Sequence, residues 1–386
     1  MKKSSIIKRV AAVLVVCTMI FGMTACSSGT KESGTNDAKS TAAPTTADTG
    51  KEAETAQSAD NTVATTTPDE SKSVDKLNVY FVPSREPDEI VTATEPLKAL
   101  LKDELAKEGY NVGEVVITVG TSYEAVGEAL SAGTADIGFI PGGTYVLYDD
   151  GADVILTATR AGLSKDFTNP KDWNDGKATE GTDKQVNFYR ALVIAGPSEK
   201  GKALGDKVNA GQELTFDDLS GANWAVMSSS SSAGYIYPSL WLQDKFGKKL
   251  TDLPNIVQSD SYGSSFARLA NGEVDVILTY ADARRDYAEK WNSEYARTGS
   301  IWEETNVIGV TEPIYNDTIS VSKTSKIMDD AFKKALQEAF INIASTDAGK
   351  AVIAIYSHEG YQVAQSSDYD NERAAQDLIQ QLNAGK

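Results

Sequence analysis

Residues 228–238 read SSSSSAGYIYP, from Ser228 to Pro238. Just before them, Asn223-Trp224-Ala225-Val226-Met227 has the length and apolar content of a short buried strand. Just after, residues 235–246 predict a helix with Tyr235, Leu240, Leu242 and Phe246 among its apolar positions. Pro238 falls in the first turn of that helix, where a missing N–H does little harm. A strand, a small-residue turn and a helix start together favour an anion. The first N–H groups of a helix have no internal partner, and the helix dipole adds partial positive charge there. Small side chains let an oxyanion approach those groups, and serine hydroxyls add donors. Ser231, Ser232 and Ala233 are therefore the expected cradle. A plain serine N-cap explains the same residues, and this stretch alone does not separate the two readings.

The N-terminal fifth reads as targeting sequence rather than fold. Lys2, Lys3, Lys8 and Arg9 precede an apolar run over residues 10–23, which ends at Met23-Thr24-Ala25-Cys26. A basic start, a short apolar core and small residues before a cysteine make a secretory signal of bacterial lipoprotein type over residues 1–25. The run is shorter than the roughly 18–20 apolar residues that a membrane span needs. Cleavage before Cys26 and lipid on its thiol would tether the protein to the outer face of the bacterial cell membrane. Cys17 lies inside the signal, which leaves no cysteine for a disulfide or a zinc–thiolate site. Residues 26–76 are mostly Ser, Thr, Ala, Asp, Glu, Gly and Lys. Such a composition buries too little surface to offset ordering, so this segment reads as a flexible tether.

The folded part is expected over residues 77–386, a length of about 310 residues that suits two lobes. The formal charge of the chain is −18. An acidic surface argues against nucleic acid as a partner. It also gives an anionic ligand no long-range steering, so an anion would have to be held by local, oriented donors.

Along this part strands alternate with helices, which predicts an α/β fold. Strands are expected at 77–82, 115–119, 135–140 and 153–159, the first stopped by Pro83 and the third broken by Pro141-Gly142-Gly143. Residues 95–107 predict a helix with Pro96 in its first turn and Leu97, Leu100, Leu101 and Leu105 on one face. Thr121-Ser122-Tyr123-Glu124 is a capping-box pattern, opening a helix that ends at Gly133. Residues 188–195 read as a strand leaving the first lobe, and 196–212 as a polar, glycine-rich connection. Thr215 with Asp218 caps a short turn over 215–219. Helices follow at 264–271 and 282–291 around a strand at 274–279, and strands at 307–310 and 318–321 return to the first lobe. Helices at 325–344, 347–356 and 371–383 close the chain. The expected division is 77–192 for the first part of lobe one, 193–308 for lobe two, and 309–386 for the return to lobe one. Ligands in such folds sit between lobes, at strand ends and helix starts. Closure would hinge near residues 191–195 and 307–313.

Five stretches together resemble the phosphate/phosphite/phosphonate-binding proteins of ABC importers, a branch of the two-lobed type II periplasmic binding proteins. They are Tyr123-Glu124-Ala125-Val126 through Ala135-Asp136-Ile137-Gly138-Phe139, Leu214-Thr215-Phe216-Asp217-Asp218-Leu219-Ser220-Gly221, Ser231-Ser232-Ala233-Gly234-Tyr235, Asn271-Gly272-Glu273-Val274-Asp275-Val276, and Gly360-Tyr361 with Asp368-Tyr369-Asp370. The resemblance covers nearly all of residues 77–386. It implies two α/β lobes joined by a two-strand hinge, an ABC permease as partner, a monomer, and no cofactor or metal. It also implies a ligand site. Ser231, Ser232 and the Ala233 backbone would hold phosphonate oxygens. Tyr123 and Tyr189 match first-lobe tyrosines, and Asp282 and Asp317 match two acidic positions. Tyr262 falls where the family often has a histidine, and Ala233 replaces a serine. Two carboxylates near an anion would repel it unless the ligand brings an ammonium, as an aminoalkylphosphonate does, or an acidic proton, as phosphate or phosphite does. The residues leave that choice open.

Each of these residues also has a plainer reading. Asp282 suits a helix cap, Asp317 a turn, Tyr123 packing beside its cap, and Tyr189 a strand core. A hydrolase would need a serine with His358, the only histidine, but no Gly-x-Ser-x-Gly elbow surrounds the serines, and His358 reads as a surface residue between helices. Asp368-Tyr369-Asp370-Asn371-Glu372 lacks the spacing and glycine of a calcium loop, and its acids suit a helix start. No Walker A sequence is present, so the chain itself would not hydrolyse ATP. The favoured reading is a lipid-anchored solute-binding protein that captures a phosphonate, with phosphate or phosphite as alternatives. A ligand-sensing lipoprotein coupled to a kinase is a second reading from another class.

Overall fold

The computed structural model describes residues 72–384. The expected signal, Cys26 and the expected tether up to residue 71 lie outside the described residues. The first part of the chain runs β1 (Lys72–Phe81), α1 (Pro87–Thr94), α2 (Leu97–Lys107), β2 (Tyr110–Val119), α3 (Tyr123–Ala132), β3 (Ile137–Ile140), α4 (Gly142–Leu147), β4 (Ala152–Leu163) and β5 (Gly181–Val186). The middle runs β6 (Phe188–Ala195), α5 (Glu199–Asn209), α6 (Phe216–Ser220), β7 (Trp224–Val226), α7 (Tyr237–Phe246), β8 (Ile256–Gln258), α8 (Tyr262–Ala270), β9 (Val276–Tyr280), α9 (Ala283–Asp286), α10 (Ala288–Ser293), α11 (Ile301–Glu304) and β10 (Asn306–Tyr315). The last part adds β11 (Thr318–Ser322), α12 (Asp330–Ser345), α13 (Asp347–Ile353), β12 (Gly360–Val363) and α14 (Asp370–Ala384).

Among these residues the strands form two mixed sheets. The first has the order β12-β4-β11-β3-β1-β2, with β5 paired to the far end of β4, and the second has the order β10-β6-β9-β7-β8. Parallel pairing of β1 with β2 and β3 buries Leu77, Val79 and Phe81, and Phe81 stacks on Phe139 at 4.3 Å between ring centroids. In the second sheet Leu192, Val193 and Ile194 of β6 are fully buried between β9 and β10. The chain is an α/β protein built on two mixed sheets.

The chain crosses between the sheets at Asn187 and again at Asn316-Asp317, and the two crossings touch: the Asn316 N–H donates to the Asn187 carbonyl at 2.9 Å. Residues 191–195 and 307–313, expected as hinges, instead lie inside paired strands β6 and β10 of the second sheet. An apolar run does not itself say which sheet it joins, because burial on both faces erases the alternation that would.

Other differences have local causes. Strand β1 begins at Lys72, inside the expected tether, because Val74 is buried while its neighbours stay exposed. Residues 196–212 are not a bare connection. Ser198 caps α5 by accepting from the Gly201 N–H at 3.0 Å, and Leu204 and Val208 are buried. Helix α1 and helix α4 were not expected; α4 starts directly after Pro141, which had read only as a strand break. Residues 282–291 are two short helices, α9 and α10, rather than one. At Thr215 the capping box with Asp218 forms in both directions.

Candidate functional site

The serine turn leaves the end of β7 and passes through a single π-helical turn, Ser232–Ile236, into α7. Ser231 caps it, its hydroxyl accepting from the Gly234 N–H at 3.2 Å. The Tyr235 and Ile236 N–H groups both donate to the Ser231 carbonyl at 3.1 Å, which is the widened first turn of a π-bulge. The Ser232 and Ala233 N–H groups ahead of it make no hydrogen bond among the described residues. Gly234 is required sterically, since a Cβ there would lie 2.4 Å from Met227 Cβ. Gly143 at the start of α4 is also tightly enclosed: a Cβ there would lie 2.9 Å from the Ser230 carbonyl oxygen as well as 2.3 Å from Ile236 Cδ1.

A small cavity of ≈ 50 Å³ lies in front of this turn. Ser231, Ala233, Tyr262, Tyr280, Tyr123, Arg160, Tyr189, Asp317 and His358 are among the residues that line it. Tyr262, in the first turn of α8, reaches Ser231 Oγ with its hydroxyl at 3.2 Å and meets the Tyr280 ring edge-on at 5.0 Å. Burial pushes the Tyr123, Tyr189 and Tyr262 phenols up, so all three are neutral and can donate hydrogen bonds at neutral pH.

Arg160, at the end of β4, is 3% exposed. Its guanidinium lies 4.3 Å over the Tyr189 ring, donates to Asn316 Oδ1 at 2.7 and 3.1 Å, and pairs with Asp282 at 3.2 Å. The second cation on the wall, Arg85, pairs with Asp286 at 2.6 Å beneath the Tyr280 and Tyr287 rings. Asp317, in the crossing from β10 to β11, approaches Arg160 only to 3.9 Å and lies 3.3 Å from His358 Nε2. Burial pushes its carboxyl up, but His358 and Arg160 outweigh that and hold it below the usual carboxylate range.

Glutamates seal the rim by gripping donors across the gap between the sheets. Glu86 accepts from Ser261, Glu89 pairs with Lys290, and Glu124 accepts from Ser228. Glu372 of α14, completely buried, accepts from Tyr237 at 2.6 Å and from Ser232 at 3.3 Å.

Of the residues singled out from sequence, Tyr123, Tyr189, Ser231, Ala233, Tyr262 and Asp317 come together around the cavity. Two do not line it. The Ser232 hydroxyl turns away, accepting from the Gly143 N–H at 2.9 Å and donating to Glu372, so only its backbone N–H remains for an anion. Asp282 lies behind Arg160 and is held by it and by Arg285 at 3.3 Å. It does not cap α9 through its side chain.

His358 is a correction: it is 2% exposed and lines the cavity, not the surface. Ser357, in the left-handed region at φ 57°, turns the chain inward just before it. Nothing in the spacing of Tyr356-Ser357-His358-Glu359 announces that turn. Arg85 and Arg160 were also missed. Arg160 had a signal, a lone cation ending the apolar strand ADVILTATR, where a buried charge must find a partner.

A family model described as the periplasmic substrate-binding protein of phosphonate ABC transporters matches residues 79–369, most of the chain. Among solved structures, the fold is similar to a binding-protein component of an ABC phosphonate transporter from Pseudomonas aeruginosa, with a TM-score of 0.58, 14% identity, and coverage of 81% of this chain and 88% of that one. It is equally similar to PhnD1 from Prochlorococcus marinus in complex with methylphosphonate, at TM-score 0.58 and 14% identity, covering 79% of this chain and 98% of that one. A Xanthomonas citri protein bound to ATP also matches, at TM-score 0.55 and 13% identity, over 80% of this chain and 99% of that one. At such identities the likeness carries the fold and not the ligand. No curated protein matches the chain at the level of sequence.

Proposed function

The chain belongs to the periplasmic substrate-binding proteins of phosphonate ABC transporters, and from that premise we propose that it captures a small phosphonate between its lobes and hands it to the permease. The family binds and does not catalyse. The observation that carries the ligand reading is one cavity lined by Ala233 with its free N–H, by the Ser231 and Tyr262 hydroxyls, and by Tyr189, Arg160 and Asp317, with the free Ser232 N–H next to Ala233 in the chain. Preorganised neutral donors suit an oxyanion in a chain of charge −18. A cavity of ≈ 50 Å³ leaves room for roughly three to five water-sized groups, which favours a headgroup with a short substituent.

Asp317 supports an aminoalkylphosphonate among these ligands, since its carboxylate faces the cavity and could pair an ammonium. Asp282 cannot share that role while Arg160 and Arg285 hold it. Phosphate and phosphite, which carry an acidic proton for Asp317, are the alternatives. The lobes would part about Asn187 and Asn316-Asp317, breaking the glutamate contacts of the rim. The lipid anchor at Cys26 rests on its sequence motif, and a labelled-lipid incorporation assay with Cys26→Ala tests it.

A thermal-shift screen of the protein tests the ligand reading. Phosphate, phosphite, methylphosphonate, 2-aminoethylphosphonate, sulfate and methanesulfonate are each added in excess. A ligand at about 100 times its Kd stabilises by roughly 2.7 kcal/mol. Shifts confined to phosphorus oxyanions support the proposal, and no shift from any of them overturns it.

A further inference from the structure

Each cation on the cavity wall already has a carboxylate. Arg85 is committed to Asp286 and Arg160 to Asp282. The carboxylate that faces the cavity, Asp317, is left with a 3.9 Å approach to the shared Arg160 and with His358 at 3.3 Å. A phosphonate drawn to the N–H groups at Ser232 and Ala233 therefore adds negative charge to a closed space that already holds a carboxylate whose nearest permanent cation is the shared Arg160 at 3.9 Å. Like charges brought together away from water do not both persist; one site takes a proton. An imidazole is the side chain whose charge changes most readily near neutrality.

His358 is built for that exchange. Its ring is buried, with Nε2 toward Asp317 and Nδ1 3.3 Å from the Tyr361 hydroxyl. The Tyr356 and Tyr361 rings stand edge-on at 5.9 and 5.8 Å. Arg160 lies beyond Asp317, and Lys350 and Glu359 line the groove on the outer side of the ring. Burial and Arg160 hold the imidazole below its usual value despite Asp317. It is then neutral, donating Nε2–H to Asp317 and accepting from Tyr361 at Nδ1. Resting on the phosphonate reading of this cavity, we infer that the Asp317–His358 pair takes up one proton from solvent when a phosphonate dianion binds, making His358 the residue that matches the charge of the pocket to its ligand. The proton goes to Nδ1, and the Tyr361 hydroxyl turns from donor to acceptor. The imidazolium then lies against Asp317 and offsets the carboxylate's charge beside the bound anion. An anion that enters as a monoanion demands less of the pair, so selectivity between phosphonate charge states depends on pH.

His358 is the only histidine in the chain, so its imidazole resonances are unambiguous in NMR. The test is a pH titration of those resonances, between about pH 5 and pH 9, with and without methylphosphonate. Calorimetry in buffers of different ionisation enthalpy counts the protons taken up. With ligand, the His358 midpoint is expected to rise by about one pH unit or more. Counted per dianion, after correction for the ligand's own second ionisation, uptake approaches one proton between the two midpoints, and affinity for the dianion gains up to about tenfold per pH unit as pH falls through that window. His358→Gln is expected to abolish the uptake. A midpoint that stays put while methylphosphonate binds, or uptake of equal size in His358→Gln, overturns the inference and puts the proton on the ligand. Failure of methylphosphonate, phosphate and phosphite to give any binding heat overturns the phosphonate reading instead.

Discussion

The Tyr237 hydroxyl donates a 2.6 Å hydrogen bond to Glu372, joining α7 beside the second sheet to the C-terminal helix α14. Burial pushes the Glu372 carboxyl up to about 7, with Tyr237 and Ser232 offsetting only part of the cost. A group raised in the packed state favours that state when protonated. Its contribution is complete below the ordinary glutamate value and is lost as pH rises through about 7. Glu372→Gln keeps an acceptor for Tyr237 and removes the charge. It should match the wild type within about 1 kcal/mol at pH 5 and exceed it by about 1–3 kcal/mol at pH 8. Thermal melts at the two pH values check this; equal differences at both would rule it out.

Asp317→Asn removes the carboxylate that lines the cavity, whose nearest permanent cation is Arg160 at 3.9 Å. 2-Aminoethylphosphonate should lose about tenfold or more in affinity, the scale of a charge-assisted hydrogen bond. Methylphosphonate should lose far less. Calorimetric titration of both ligands on the variant decides, and equal losses would remove the ammonium-pairing role.

Arg160→Met leaves Asp282 and Asp317 without their shared partner in a buried setting. Breaking a buried pair from one side costs about 3–5 kcal/mol. Urea denaturation should show a loss on that scale, and a change under about 1 kcal/mol would mean that Asp282 is neutral in the native protein.

Gly234→Ala pushes a methyl group into Met227, whose Cβ and Cγ both lie 2.4 Å from the position of the new atom. Overpacking of this kind costs about 1–3 kcal/mol. Because Met227 is the obstacle, the same substitution should cost measurably less in a Met227→Ala background. Additive losses in the double-mutant cycle would show that the backbone, not Met227, resists the change.

Much of the fold was legible because its signals are local. The Trp224 strand, the small-residue turn and Pro238 identify a strand–turn–helix unit that needs no distant contact to be recognised. Ser122 and Thr215 cap their helices through residues only three positions away. The helix α5 was hidden because Gly201 and Gly205 sit in it for packing, against Gly196 and Asn306, where glycine ordinarily signals a loop.

The sequence by itself determined the α/β class and the strand–turn–helix unit around Ser231–Ala233, since short-range periodicity and capping encode them; the tyrosines of the cavity were reached only through the family resemblance. Only the tertiary structure decided the electrostatics. Arg160 and Asp282 are 122 positions apart, and His358 and Asp317 are 41 apart. Whether a charge is buried, and against what, depends on which crossings and turns bring such residues together. Asp282 behind Arg160 and His358 inside the cavity are consequences of the sheet crossing at Asn316-Asp317 and the left-handed turn at Ser357, which no local spacing specifies.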